Sequence, residues 1–369
     1  MHKETRIREP FVRIVKRTEF SRVRAWGVRA AAVLASLVIC AVLIYSIVGL
    51  NPLAVYVSMF KGAFGTGNRV WFTVRDTMML LCVGVGLAPA FKMKFWNLGA
   101  EGQILAGGIA TAACMIYLDT VLPTPLLFLV MVIASMAAGA LWGLIPTVFK
   151  AKWNTNEVLF TLMMNYVAIQ LTSFFVARWE NPFGSNSVGI INQTTRVGWF
   201  PSLFGQAYAL NVLIVMLLTV GMFLYLKYSK QGYEIAVVGE SERTARYAGI
   251  RVERVYIRTM LISAAICGLA GFIAVSGASH TISTSTADGR GFTAIIVAWM
   301  SKFNTLFMIA ISFLLVFFDK GAIQIASDFG LNDYASEMIT GIILFFLIGC
   351  EFFINYRLVF RGKSAKEAA

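Results

Sequence analysis

Apolar runs of roughly 18 to 25 residues recur along this chain, and a run of that length spans about 30 Å of hydrocarbon. Lipid offers no partner to a backbone N–H or C=O, so such segments cross only as helices or as closed barrels. A barrel would show alternating apolar and polar residues in short strands, and the sequence contains no such alternation. The sequence therefore predicts an all-α polytopic membrane protein. Composition agrees: 58% of the 369 residues are hydrophobic and 14% are charged.

Hydropathy places spans at 30–50, 70–91, 97–118, 125–149, 156–178, 207–227, 257–279, 291–301, 304–319 and 335–356. That makes about ten crossings, with both termini on one side. The net charge of +13 is unevenly spread, and nine basic side chains lie in the first 29 residues, directly before the first span. A basic segment there is a juxtamembrane element rather than a nucleic-acid site. Along the predicted topology 25 of the 32 Lys and Arg fall on the N-terminal side and 7 on the other. The positive-inside rule then puts both termini in the cytoplasm. Residues 1–29 form a basic cytoplasmic segment, 30–356 the membrane domain and 357–369 a cytoplasmic tail. The first span is too long, and too strongly preceded by charge, for a cleaved signal peptide.

Other chemistry is excluded by what the sequence lacks. All five cysteines sit inside apolar runs without paired spacing, and His2 and His280 are the only histidines. No metal site or disulfide framework follows. The Gly-Lys-Ser at 362–364 would need a glycine at 357, where Arg357 stands, so the chain has no Walker A loop. Ser276, Ser279 and His280 are neighbours in sequence, but a membrane hydrolase would need a base opposed to its serine in space.

Four polar stretches remain. "FWNLGAEGQ", Phe95 to Gln103, interrupts the apolar pattern with Asn97, Glu101 and two glycines. In a continuous helix Asn97 and Glu101 would share a face. An ionised Glu is costly against lipid, so Glu101 faces protein, water or a solute. Two roles fit it: contact with the transported solute, or acceptance of backbone N–H groups at a helix start. In "NTNEVLFTLMMNY" Glu157, Thr161 and Asn165 form a stripe, either along a wet path or as hydrogen bonds between helices. "TADGRGF" sets Asp288 and Arg290 at the mouth of the short span 291–301, where they can also simply pair. That span and 97–118 both open on a Gly-rich break and follow spans of opposite direction, the pattern of two inverted halves. Finally, the polar segment 227–258 predicts a short helix capped by Ser241 and stopped at Gly249, a docking surface for a soluble partner.

"FWNLGAEGQILAGGIA", "NEVLFTLMMNYVA", "GYEIAVVGESERTARYAGI" and "GRGFTAIIVAW" resemble, in that order, the signature blocks of permease subunits of ABC importers for simple sugars and nucleosides. The resemblance is nearest to the nucleoside branch. It implies a cobalamin-importer-like (type II) permease, paired with a second, related but different permease chain in the bacterial cytoplasmic (inner) membrane. It further implies a separate ABC ATPase that carries the ATP and Mg, with no cofactor in this chain, and an extracytoplasmic substrate-binding (lipo)protein. The solute path would then be lined by Phe95, Trp96, Asn97, Glu101, Gln103, Glu157, Thr161 and Asn165. The ATPase would be gripped through Gly239, Glu240, Arg243, Ala245, Arg246 and Gly249. Of the family's EAA-xxx-G docking pattern only Ala245 and Gly249 agree, and "VAWMSKFNT" (297–305) carries Trp299, Met300 and Lys302 where the family favours small residues. The rival is a stand-alone secondary transporter in which Glu101 or Glu157 relays a proton.

Overall fold

The computed structural model describes residues 49–203 and 205–332 throughout. Beyond them it covers 12–16, 356–360 and scattered positions between 27 and 46 and between 334 and 345. The expected spans 30–50 and 335–356 thus lie largely outside the described residues. The chain divides into two compact units, one of residues 67–316 and one of residues 1–66 with 317–369.

Nearly all of the described chain is helical. In order come β1 (Val12–Lys16), α1 (Pro52–Phe64), α2 (Gly67–Lys92), α3 (Ala100–Tyr117), α4 (Thr124–Trp153), α5 (Glu157–Arg178) and α6 (Ala209–Tyr228). There follow α7 (Lys230–Glu240), α8 (Glu242–Tyr247), α9 (Val252–Ala274, extended by a π turn at Val275–Ser279), α10 (Arg290–Met300), α11 (Thr305–Phe329) and β2 (Tyr356–Phe360). Among the described residues six helices are long and apolar enough to cross a membrane: α2, α4, α5, α6, α9 with its π turn, and α11. At 1.5 Å per residue, the 11 residues of α10 span only about 16 Å, too short to cross alone.

The 67–316 unit is built around α9, which packs on α2, α3 and α4. Lipid supplies no hydrophobic drive between helices, so close approach of backbones must supply the contact. Here glycines permit it. A Cβ at Gly139 or Gly107 would collide with the backbone of α9 at Ala264 or Gly268, and one at Gly268 would collide with Ser135 O. Gly139 and Gly143, a GxxxG pair in sequence, are thus a packing surface. Phe91, Phe95, Phe272, Leu81 and Leu87 fill the interior and are essentially inaccessible.

In the other unit α1 is capped by Asn51, whose side chain accepts from Leu53 N at 3.0 Å. Phe60 and Phe64 of α1 stand 6.4 and 6.1 Å from Phe317 of α11. β1 and β2 pair antiparallel, from Val12 opposite Phe360 to Lys16 opposite Tyr356. The sequence pattern had shown neither α1 nor this ribbon.

Candidate functional site

The helix expected over 97–118 begins at Ala100, and residues 95–99 are not helical. Asn97 and Glu101 therefore do not share a helix face, correcting the i, i+4 reading. The break has a physical cause in Lys94 (φ 61°) and the turn at 93–94, which redirect the chain after α2. A broken segment leaves backbone groups without helical partners, and buried ones must find others.

The polar residues singled out from sequence supply them. Asn97 accepts from Gly99 N at 3.1 Å, and its amide pairs reciprocally with that of Gln103, both contacts 3.1 Å. Thr161 Oγ1 receives Leu98 N at 3.2 Å. Asn165 donates to Leu98 O at 2.8 Å and accepts from Gly102 N at 2.9 Å. Thr161 and Asn165 lie one turn apart on α5, so the stripe is real and faces the break. Glu157, the third member, pairs with Lys150 at 2.9 Å instead. Asn97, Gln103, Thr161 and Asn165 are all buried.

Glu101 spans two elements. It sits in the first turn of α3 and its Oε1 accepts from Gly291 N, the second residue of α10, at 2.8 Å. A carboxylate near a helix N-terminus gains about 0.3–1 kcal/mol from the helix dipole, up to about 2 when partly buried, and Glu101 lies at two such termini. Gly291 permits the approach, because a Cβ there would lie 2.7 Å from Glu101 N. The starts of both short helices thus meet at one carboxylate.

Beside this junction runs an open aromatic face. Trp96 and Trp299 stack with centroids 5.3 Å apart and planes at 23°. They are 41% and 45% exposed, and Phe292, seven residues before Trp299 on α10, is 46% exposed. Phe95, by contrast, is 1% exposed and packs on Tyr256 at 5.9 Å. Of the two aromatics assigned to the solute path, Trp96 alone is reachable from outside the chain. At the start of α10, Arg290 stands 3.3 Å from Asp288 and 3.7 Å from Asp76, and Asp76 also binds Arg75 at 3.0 Å. Arg75 and Asp76 were not singled out from sequence, although paired charges inside an apolar span are a signal in their own right.

The 227–258 segment folds into α7 and α8. Ser241 caps α8 by accepting from Thr244 N at 3.3 Å, and Gly249 (φ 77°) follows its end, as the sequence indicated. Ala245 is buried, whereas Glu240, Arg243, Arg246 and Gly249 are exposed. Gly239 presses on the backbone of Lys92 and Met93, and a Cβ placed there would collide with Lys92 O. Arg258 clamps α7 through Glu234 at 2.9 Å, and Tyr256 donates to Glu242 at 2.6 Å. The α7–α8 surface is therefore seated on the residues that lead directly into the break.

Residues 69–348 match a family described as "Branched-chain amino acid transport system / permease component". The chain belongs to this family. Among curated proteins it is 27% identical to the glucose ABC transporter permease protein TsgB13 of Haloferax volcanii, over 90% of each chain. It is 28% identical to the guanosine ABC transporter permease protein NupP of Bacillus subtilis, over 89% of this chain and 93% of that one. To the nucleoside ABC transporter permease protein NupB of Lactococcus lactis it is 26% identical, over 84% and 87%. The chain is thus a multi-pass membrane permease component, a transport subunit rather than an enzyme. A stand-alone proton-coupled carrier is set aside, because the matched family is one component of a multi-part transport system.

Proposed function

We propose that this permease forms half of the translocation path of an importer for nucleosides or simple sugars, driven by a separate ATPase. The observation that carries the reading is the α7–α8 surface in a chain of this family. Arg243, Arg246 and Tyr247 stand exposed there on the short capped helix α8, and Gly239 of the preceding α7 abuts the backbone of Lys92–Met93. Closure of an ATPase pair against α8 would push α7 on the end of α2, and the displacement would reach Trp96 and the Glu101–Gly291 junction within a few residues. Binding and hydrolysis of ATP with Mg belong to that partner chain.

Two short helices that begin at a shared carboxylate favour an inverted repeat of the type II kind, with the path beside α3 and α10. On this reading the α7–α8 end faces the cytoplasm, as do both chain termini, and the paired strands 12–16 and 356–360 fit termini on one side. About ten crossings, an unlike second permease chain and an extracytoplasmic binding protein complete the importer. The buried amides at the break and the buried Glu101 carboxylate hold the half-helix in place, and the reachable groups Trp96, Phe292 and Trp299 edge the path. Solute contact there is weak, since a conduit must release what it admits, and selection rests with the binding protein.

Proteoliposomes carrying this chain with its ATPase and second permease should take up a labelled nucleoside or sugar only with ATP inside and binding protein outside. Uptake of equal rate without the ATPase would overturn the proposal.

A further inference from the structure

Beyond the N-terminus of α10 lies an open-sided cavity of about 220 Å³, lined among others by Arg75, Asp76, Asp288, Arg290, Ser283 and Thr286. Asp76 lies nine residues after the start of α2, about 13 Å along the helix, so the cavity sits between one end of the bundle and the Glu101 junction. Its charges form a chain. Arg75 donates to both oxygens of Asp76 at 3.0 and 3.3 Å, Asp76 is 3.7 Å from Arg290, and Arg290 is 3.3 Å from Asp288. The Arg75 guanidinium is held 5.3 Å from the rings of Phe72 and Tyr208.

The chemistry of this lining selects a ligand class. Two arginines and two aspartates cancel, so the lining presents no net charge to draw in a cation or an anion. A sugar ring does not, because each hydroxyl both donates and accepts. A network that only tied α2 to α10 would close on itself. This one ends in the Asp288 carboxylate, which is 67% exposed and keeps acceptor capacity facing open space. Asp288 is held at φ 53°, in the left-handed region that a residue with a side chain enters at a backbone cost, whereas Gly289 at φ 68° carries none.

We propose that this cavity is a sugar-ring subsite of the path, in which vicinal hydroxyls donate to Asp288 and accept from Arg290. The inference rests on the importer reading and adds which part of the solute this chain recognises. Free sugars and the ribose of nucleosides share that chemistry.

Saturation-transfer NMR on the assembled importer without its binding protein tests it, with ribose, guanosine, 2′,3′-dideoxyguanosine, guanine and guanosine monophosphate as probes. Ring protons of ribose, guanosine or both should be saturated, and those of dideoxyguanosine should not. Asp288→Asn should weaken that saturation about tenfold, the effect of one charge-assisted hydrogen bond. Signal from ribose alone, guanosine alone or both identifies the source of the ring. Saturation carried by base protons, equal saturation of dideoxyguanosine, preference for the monophosphate, or no change in Asp288→Asn would each overturn the subsite. A merely structural Asp288 would lower every probe alike, and the comparison of probes on the native protein stands even if the variant does not fold. Uptake by cells separates the two readings: uptake of guanosine or ribose without ring-proton saturation sinks the subsite alone, and ATP-independent uptake sinks the importer.

Discussion

Replacing Glu101 by glutamine removes its charge and keeps an acceptor, whereas replacement by alanine removes both. In the alanine variant Gly291 N–H, held at 2.8 Å in a buried setting, loses its partner. An unsatisfied buried donor costs about 1–3 kcal/mol, and the lost interaction with two helix starts adds about 0.3–1 kcal/mol at each. Glu101→Ala should therefore cost about 2–5 kcal/mol. Glutamine still accepts the hydrogen bond and forfeits the dipole contribution, part of which is offset by removing a buried charge, so Glu101→Gln should cost about 1 kcal/mol. Thermal unfolding of the detergent-purified permease, followed by size-exclusion recovery, ranks native, Gln and Ala in that order, and Glu101→Gln should retain most of its ATP-driven uptake. The reasoning is refuted by an alanine variant that melts like the native chain. It is equally refuted by a glutamine variant of native stability that no longer transports, which would place the charge on the solute rather than at the helix starts.

Gly249 has φ 77°, where a side chain costs about 1–2 kcal/mol; Gly249→Leu should leave the fold intact, keep ATPase activity of the assembled complex and lower uptake per ATP, and unchanged coupling would remove the docking role. Gly268→Val would push its side chain into Ser135 O and Gly139, so it should abolish recovery of monodisperse protein, and normal yield would contradict the close α4–α9 contact. Trp299→Ala removes one half-exposed member of a stacked pair worth about 0.5–1.5 kcal/mol, and should change uptake rate more than stability. The opposite balance is expected for the buried Phe95→Ala, at about 3–5 kcal/mol of stability.

Much of the fold was legible because membrane helices announce themselves by length and hydropathy, and α2, α4, α5, α6 and α9 fall within a few residues of the expected spans. Local chemistry was legible too: Ser241 and Gly249 bound α8 through interactions within a few residues. What failed depended on continuity or distance. The Asn97–Glu101 face assumed an unbroken helix, and nothing local to "NLGAEGQ" shows that the chain turns at Lys94. The partner of Glu101 lies 190 residues away, and sequence spacing carries no information at that range. The amides of Asn97, Gln103 and Asn165 were recognisable as unusual in lipid, but their task, satisfying a broken backbone, appears only once the break is seen. Arg75 and Asp76 were visible as charges within an apolar span, yet their link to Arg290 is tertiary.

The central claim is that the exposed surface of α8 grips an ATPase on the cytoplasmic face. A single cysteine in place of exposed Arg243, in an otherwise cysteine-free chain, can be probed with a membrane-impermeant maleimide. Labelling should occur in inside-out vesicles and not in intact cells, and addition of the ATPase should protect the site. Labelling from outside intact cells, or labelling that the ATPase leaves unchanged, would contradict it.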